Sequence, residues 1–200
     1  MFDVTEVLRI LRSKPDDKLV SDIKRIAEQL QVSKRNVKAE FSVKTEKNIV
    51  FISNLEIKSK YLAELLSGAE KCTVLAATIG IAVDKFIAFQ SKISVLDGLI
   101  ADAVGSAVIE KYCDEICGEQ TSRYSPGYGD FGLENQRKIL DLLAAEKNIG
   151  IYLSDENIMN PRKSITAIMV NKKVLNNPCE HCEIDCVSNG ICLRKGIFDD

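Results

Sequence analysis

A single histidine, His181, is all the imidazole this 200-residue chain contains. A Ser-His-Asp relay would rest on that one ring inside a cysteine-rich tail, a poor setting for a positioned base. No Gly-x-x-x-x-Gly-Lys run occurs, and no Gly-rich dinucleotide fingerprint sits in a regular βαβ pattern. An excess of charge of one sign is also lacking. Lys plus Arg number 27 against 29 for Asp plus Glu, a formal net charge of −2. That balance excludes bulk nucleic-acid binding by counterion release. The most apolar run, Val74 to Val83, is stopped by Lys71 and Asp84, short of the roughly 20 residues a membrane helix needs. Met1-Phe2-Asp3 has neither the basic start nor the apolar core of a signal peptide. Internal repeats and low-complexity segments are missing as well.

What remains is ordinary globular material: 46% hydrophobic and 28% charged residues. The length suits one domain with an appendage, which we place at residues 1–176 and 177–200. Seven cysteines with no export signal point to a reducing cytoplasm, where clustered thiols bind metal more readily than they form disulfides.

Val4, Val7, Leu8 and Leu11 keep helical spacing until Ser13-Lys14-Pro15 ends the helix. Leu19 to Leu30 is a second amphipathic helix. The period then changes to two, with Val37, Ala39, Phe41 and Val43 alternating with Lys38, Glu40, Ser42 and Lys44. That pattern is a half-buried strand, turning at Lys47-Asn48 into Ile49 to Ile52. Tyr61 to Leu66 reads as a short helix, and Cys72 to Ile79 as a central strand. Ala77 to Asp84 joins a strand end to a helix start through Gly80, a plausible ligand edge but more often a simple connection. Ile151-Tyr152-Leu153 and Ile165 to Val170 add two strands. Strands and helices mixed without βαβ alternation give an α+β fold with a mainly antiparallel sheet.

Leu96 to Cys117 is the longest helical pattern, and it becomes the long central helix of that fold. Leu96, Leu99, Ile100, Ala103, Ala107 and Val108 trace one face. Glu110 falls on the same face, where a carboxylate is costly unless it is paired or reaches solvent. Gly98 and Gly105 suggest close backbone packing. Asp97 and Asp102 read as solvated. Cys72, Cys113 and Cys117 read as small core residues.

Between long helical segments lies Thr121-Ser122-Arg123-Tyr124-Ser125-Pro126-Gly127-Tyr128-Gly129-Asp130-Phe131. Pro then Gly at the centre of four residues marks a type II turn over Ser125–Tyr128, with Gly127 taking positive φ. Arg123 offers a planar fork suited to a carboxylate or phosphate. A further helix, through Leu133, Ile139, Leu140 and Leu143, starts near Asp130 or Gly132 and stops at Gly150.

Arg123-x-x-Pro126-Gly127-Tyr128, then Glu146-Lys147-x-x-Gly150, then Leu153 to Ser164, resembles the activation domain of cobalamin-dependent methionine synthase. The similarity runs from about Asp97 to Thr166. It implies a domain that binds S-adenosylmethionine and presents it to an oxidised cobalamin held by a partner, a methionine synthase core or other corrinoid-binding methyltransferase. An electron donor such as flavodoxin or ferredoxin is implied too. By resemblance, Arg123 clamps the methionine carboxylate and Glu110 meets the ammonium. Backbone near Ser125 and Gly127 holds the adenosyl part, and Tyr128 flanks the ligand. A further Tyr that the family carries beyond Pro161 is absent, since Ile165 to Lys173 contains none.

The tail departs from that family. Cys179, Cys182, Cys186 and Cys192 are spaced to close on one metal, either an iron–sulfur cluster or zinc, with His181 as a substitute ligand. Cobalt reduction needs an electron, which favours iron–sulfur. Two other readings follow from the tail alone: a small electron-transfer or redox-sensing iron–sulfur protein, and a scaffold with a structural zinc.

Overall fold

The alternation over Val37–Lys44 produces a strand wetted on one face. In the computed structural model, which describes residues 2–118 and 121–170, it forms the middle of β1 (Arg35–Glu46). The two-residue turn at Lys47-Asn48 folds β2 (Ile49–Ile52) back on it, and β3 (Leu55–Lys58) extends the meander. β4 (Lys71–Thr78) pairs with the other edge of β1, β8 (Ser164–Val170) with β4, and β5 (Ser122–Tyr124) with β8. The sheet order is β3-β2-β1-β4-β8-β5, and each pairing is antiparallel. β6 (Tyr152–Leu153) and β7 (Met159–Asn160) make a separate two-stranded ribbon. The expected α+β class and antiparallel sheet are therefore what forms.

β4 and β8 lie inside the sheet and are apolar on both faces, as a strand covered twice must be. One face, with Val74, Ala76, Ile168 and Val170, packs under α3 (Lys60–Leu65), α6 (Asn135–Leu142) and α7 (Ala145–Ile149). The other face, with Leu75, Ala77 and Met169, packs under α4 (Ile81–Ile93) and α5 (Val95–Cys117). On the outer side of α5, α1 (Val4–Leu11) and α2 (Asp17–Gln29) bury Val7, Leu8, Ile23 and Ile26 against Ile100, Ala103, Val104 and Ala107.

α5 is thus gripped from two sides, and this corrects its expected single face. Ile100, Ala103 and Ala107 are buried, but Leu96 and Leu99 stand 50% and 57% exposed, because neither packing layer reaches them. Gly98 and Gly105 are close approaches, as expected. A Cβ on Gly98 would stand 2.8 Å from Cα of Ser91 on α4, and one on Gly105 3.2 Å from both Val83 and the Lys163 stem. The helix expected from Asp130 or Gly132 begins later, at Asn135, leaving Leu133 exposed. Asp130 is employed elsewhere. Its carboxylate accepts from Ser59 Oγ (2.6 Å) and from the amides of Lys60 (2.5 Å) and Tyr61 (3.2 Å), so it caps the start of α3.

Candidate functional site around Arg123

The site begins with a buried aromatic anchor. Tyr124 of β5 is 4% exposed, meets Tyr61 edge-on at 5.0 Å and stacks on Phe131 at 5.8 Å. Its hydroxyl donates to the Tyr128 carbonyl at 2.8 Å. That pins both ends of the following turn. The Tyr128 amide donates to the Ser125 carbonyl (3.3 Å) and Gly127 has φ +90°, which together make the expected type II turn. The Gly127 amide in turn donates to the Phe131 carbonyl at 2.7 Å. Gly127, Gly129 and Gly132 do carry dinucleotide-fingerprint spacing. They follow an antiparallel edge strand rather than opening a βαβ unit, so the spacing is coincidental.

With Tyr124 facing one layer, strand alternation turns its neighbour Arg123 toward α5. The Arg123 side chain is only 17% exposed. Its Nη2 donates to Glu110 Oε2 (2.8 Å), to Asp114 Oδ1 (2.6 Å) and, at 3.4 Å, to the Glu110 carbonyl. Glu110 and Asp114 are one helical turn apart, a like-charge pair that the cation between them relieves. Burial opposes the Arg123 charge, but Glu110, Cys113 and Asp114 outweigh it and hold its pKa above the ordinary value. Glu110 is therefore paired, and its side chain is still 44% exposed. The contacts described for Arg123 all run through Nη2.

Two cations in this region were not foreseen. Arg9 of α1 pairs with Glu6, whose hydrogen bond raises the Arg9 pKa, and the Glu110 carboxylate pushes it the same way. α1 thus brings a second guanidinium within electrostatic reach of Glu110. Lys163, with its side chain 13% exposed, donates to Ser106 Oγ (2.8 Å) and pairs with Asp102 (2.9 Å). Asp102, Ser106, Glu110 and Asp114 recur every fourth residue, so α5 carries a polar stripe served by Lys163 at one end and Arg123 at the other. Asp102 is accordingly paired rather than merely solvated, and Asp97 likewise pairs with Arg25 at 3.0 Å. No local pattern marks Lys163, whose partners Ser106 and Asp102 lie far away in sequence, whereas Arg9 pairs with Glu6 three residues before it and only the fold brings it near Glu110.

Arg123 and Asp114 also line an open cavity of about 450 Å³, together with Lys111, Glu115, Cys117, Gly118 and Thr121. Glu110, Ser125, Gly127 and Tyr128 stand outside that lining. A second cavity, about 560 Å³, lies among α6, α7 and β6 and includes no candidate residue. Tyr128 is 53% exposed on the turn. Burial pushes the Cys113 thiol up to about 12 and Cys72 up to about 11, which keeps both as inert core residues; half-buried Cys117 shifts in the same direction. The Ala77–Asp84 segment proves to be a junction. Ile79 donates to the Lys163 carbonyl, and Asp84 accepts from the Arg162 amide at 2.8 Å.

Cys179, Cys182, Cys186 and Cys192, with His181, lie outside the described residues. Among the described residues no group of three or more His, Cys, Asp and Glu is placed to hold a metal ion, and no helix is long and apolar enough to cross a membrane.

No family model matches the sequence, and no curated protein matches it. Solved structures do. A crystal structure of the MetH reactivation domain bound to AdoHcy superposes with a TM-score of 0.65 at 15% identity, over 92% of this chain and 77% of that one. The chain has the fold of the MetH reactivation domain.

Proposed function

We propose that this protein binds S-adenosylmethionine and presents its methyl group to an oxidised corrinoid carried by a partner, a methionine synthase core or related corrinoid-binding methyltransferase. The observation that carries the reading is Arg123. An edge strand holds it beside a Pro-Gly turn, two carboxylates fix it through Nη2, and the rest of its fork is unspent. Support also comes from the similar fold, which was solved with AdoHcy bound.

In this reading the α-carboxylate of the ligand takes the unspent edge of Arg123 as a charge-assisted pair. Its ammonium meets Glu110, whose side chain is 44% exposed and so can take a second partner. The backbone of Ser125 and Gly127 holds the adenosyl part, and the Tyr128 ring closes one side. The sulfonium methyl is thereby fixed, and that is the useful result. One electron from a donor such as flavodoxin or ferredoxin reduces cobalt(II) to cobalt(I). The reduced cobalt takes the methyl as its bond to sulfur breaks, and S-adenosylhomocysteine leaves. Holding methyl and cobalt together couples an unfavourable reduction to a fast, effectively irreversible capture.

Calorimetric titration with S-adenosylmethionine and S-adenosylhomocysteine tests the ligand, with saturable binding to one site expected. Reductive methylation of a protein-held corrinoid, followed by its absorption spectrum with and without this chain, tests the role. A protein that binds neither nucleoside, or that leaves the recovery rate unchanged with its native corrinoid partner, overturns the proposal.

A further inference from the structure

α4 is apolar on two sides. Inward it presents Val83, Phe86 and Ile87 to the core. Outward, at four-residue intervals, stand Ile81, Lys85, Phe89 and Ile93, and Ile81, Phe89 and Ile93 are 46%, 59% and 62% exposed. Ala82, Ala88 and Lys92 flank this stripe, and they too are exposed. With the inner face already buried, this apolar stripe is an exposed patch of the kind that marks an interaction surface.

The order of residues says which cover. Ile81-Lys85-Phe89-Ile93 is symmetric about Ile87: apolar, Lys, Phe, apolar in one direction, and apolar, Phe, Lys, apolar in the other. Two copies of α4 crossed antiparallel about a two-fold axis at Ile87 would set Ile81 against the second copy's position 93 and Lys85 against its position 89. The ends then meet as apolar pairs, and each Lys ammonium lies over a Phe ring, a cation–π contact made twice. The stripe is an i±4 ridge, the row that interdigitates in the commonest helix packing, and exposed Ala82 and Ala88 permit close approach.

The three large apolar residues of the stripe expose on the order of 300 Å² per copy, and the lysine stems and alanines add to that. This is smaller than the roughly 800 Å² per partner of a standard interface, so the contact is a weak, concentration-dependent one. The stripe also leaves the candidate site open. It lies on the far side of α4 from Ser91, which packs on Gly98 of α5, whereas Glu110 and Asp114 face β5. We infer that the protein is an isologous homodimer through α4, a conclusion independent of the ligand proposed above.

Sedimentation velocity on the full chain, up to about 200 µM, tests this. A concentration-dependent dimer is expected. Phe89→Asp should raise its dissociation constant at least about thirtyfold, as loss of a central aromatic anchor does. Leu99→Asp, at an equally exposed apolar position off the stripe, should leave the dimer intact. Circular dichroism melts check that both variants fold. A wild-type monomer at the top concentration overturns the inference and assigns the stripe to a partner other than a second copy. A dimer that survives Phe89→Asp overturns it as well.

Discussion

Replacing Arg123 with Ala removes two things at once, and the geometry separates their sizes. The first is ligand recognition. A charge-assisted pair with a ligand carboxylate contributes at least about 1.5 kcal/mol, so the dissociation constant for S-adenosylmethionine should rise tenfold or more. The second is structure. Arg123 is 17% exposed and joins β5 to α5, but its partners Glu110 and Asp114 are 44% and 61% exposed, so solvent screens part of the gain. Leaving two carboxylates one turn apart costs only a few tenths of a kcal/mol more. The sum is about 1–2 kcal/mol of stability, or a fall in Tm of roughly 2–8 °C for a chain this size. Arg123→Lys tells the two apart. Lysine keeps a charge between the carboxylates and should recover most of the Tm, but it lacks the planar fork and should not recover the affinity. Titration calorimetry and a thermal melt on the three proteins decide it. Wild-type affinity in a folded Arg123→Ala protein would refute the site, and full affinity in Arg123→Lys would refute the bidentate geometry.

The sequence was most legible where the signal is periodic or stereochemical. Alternation over Val37–Lys44 defined β1 and its wet face, because a pleat allows no other period. Pro126-Gly127 defined the turn, because few residues tolerate its positive φ. Glu110 on an apolar face implied a partner or an escape to solvent, and the structure supplies some of each. What was missed lacks such a signal. β5 is three residues on a sheet edge, too short to show alternation, and it carries Arg123. Lys163 reaches Ser106 across 57 residues and Asp130 reaches Lys60 across 70, and only tertiary packing selects those pairs. Leu96 and Leu99 continue the apolar spacing of α5 past the end of the packing layers. Spacing states that a face is apolar, not where its cover ends.

Gly127→Val should cost about 1–2 kcal/mol and weaken ligand binding, since the residue sits at φ +90° with room for a Cβ, so strain rather than a clash is the cause. An unchanged melt would show the turn does not need that conformation. Asp130→Ala should cost about 1–2 kcal/mol by stripping the start of α3, and a denaturant midpoint equal to wild type would refute the capping role. The alkaline limb of stability should belong to two buried thiols. Cys72 and Cys113 are held by burial up to about 11 and about 12, whereas in the unfolded chain a thiol ionises near pH 8.5. The folded state thus binds these protons more tightly. Below about pH 8.5 both states are protonated and the contribution is whole; above it the unfolded chain ionises first and stability falls until the folded thiols titrate as well. Guanidinium midpoints measured from about pH 8 to about pH 10 should therefore decline, ahead of the ordinary Lys and Tyr titrations. Cys72→Ala with Cys113→Ala should start less stable but lose less over the same interval. An equal decline in the double variant would assign the alkaline limb to other groups and refute the argument from burial.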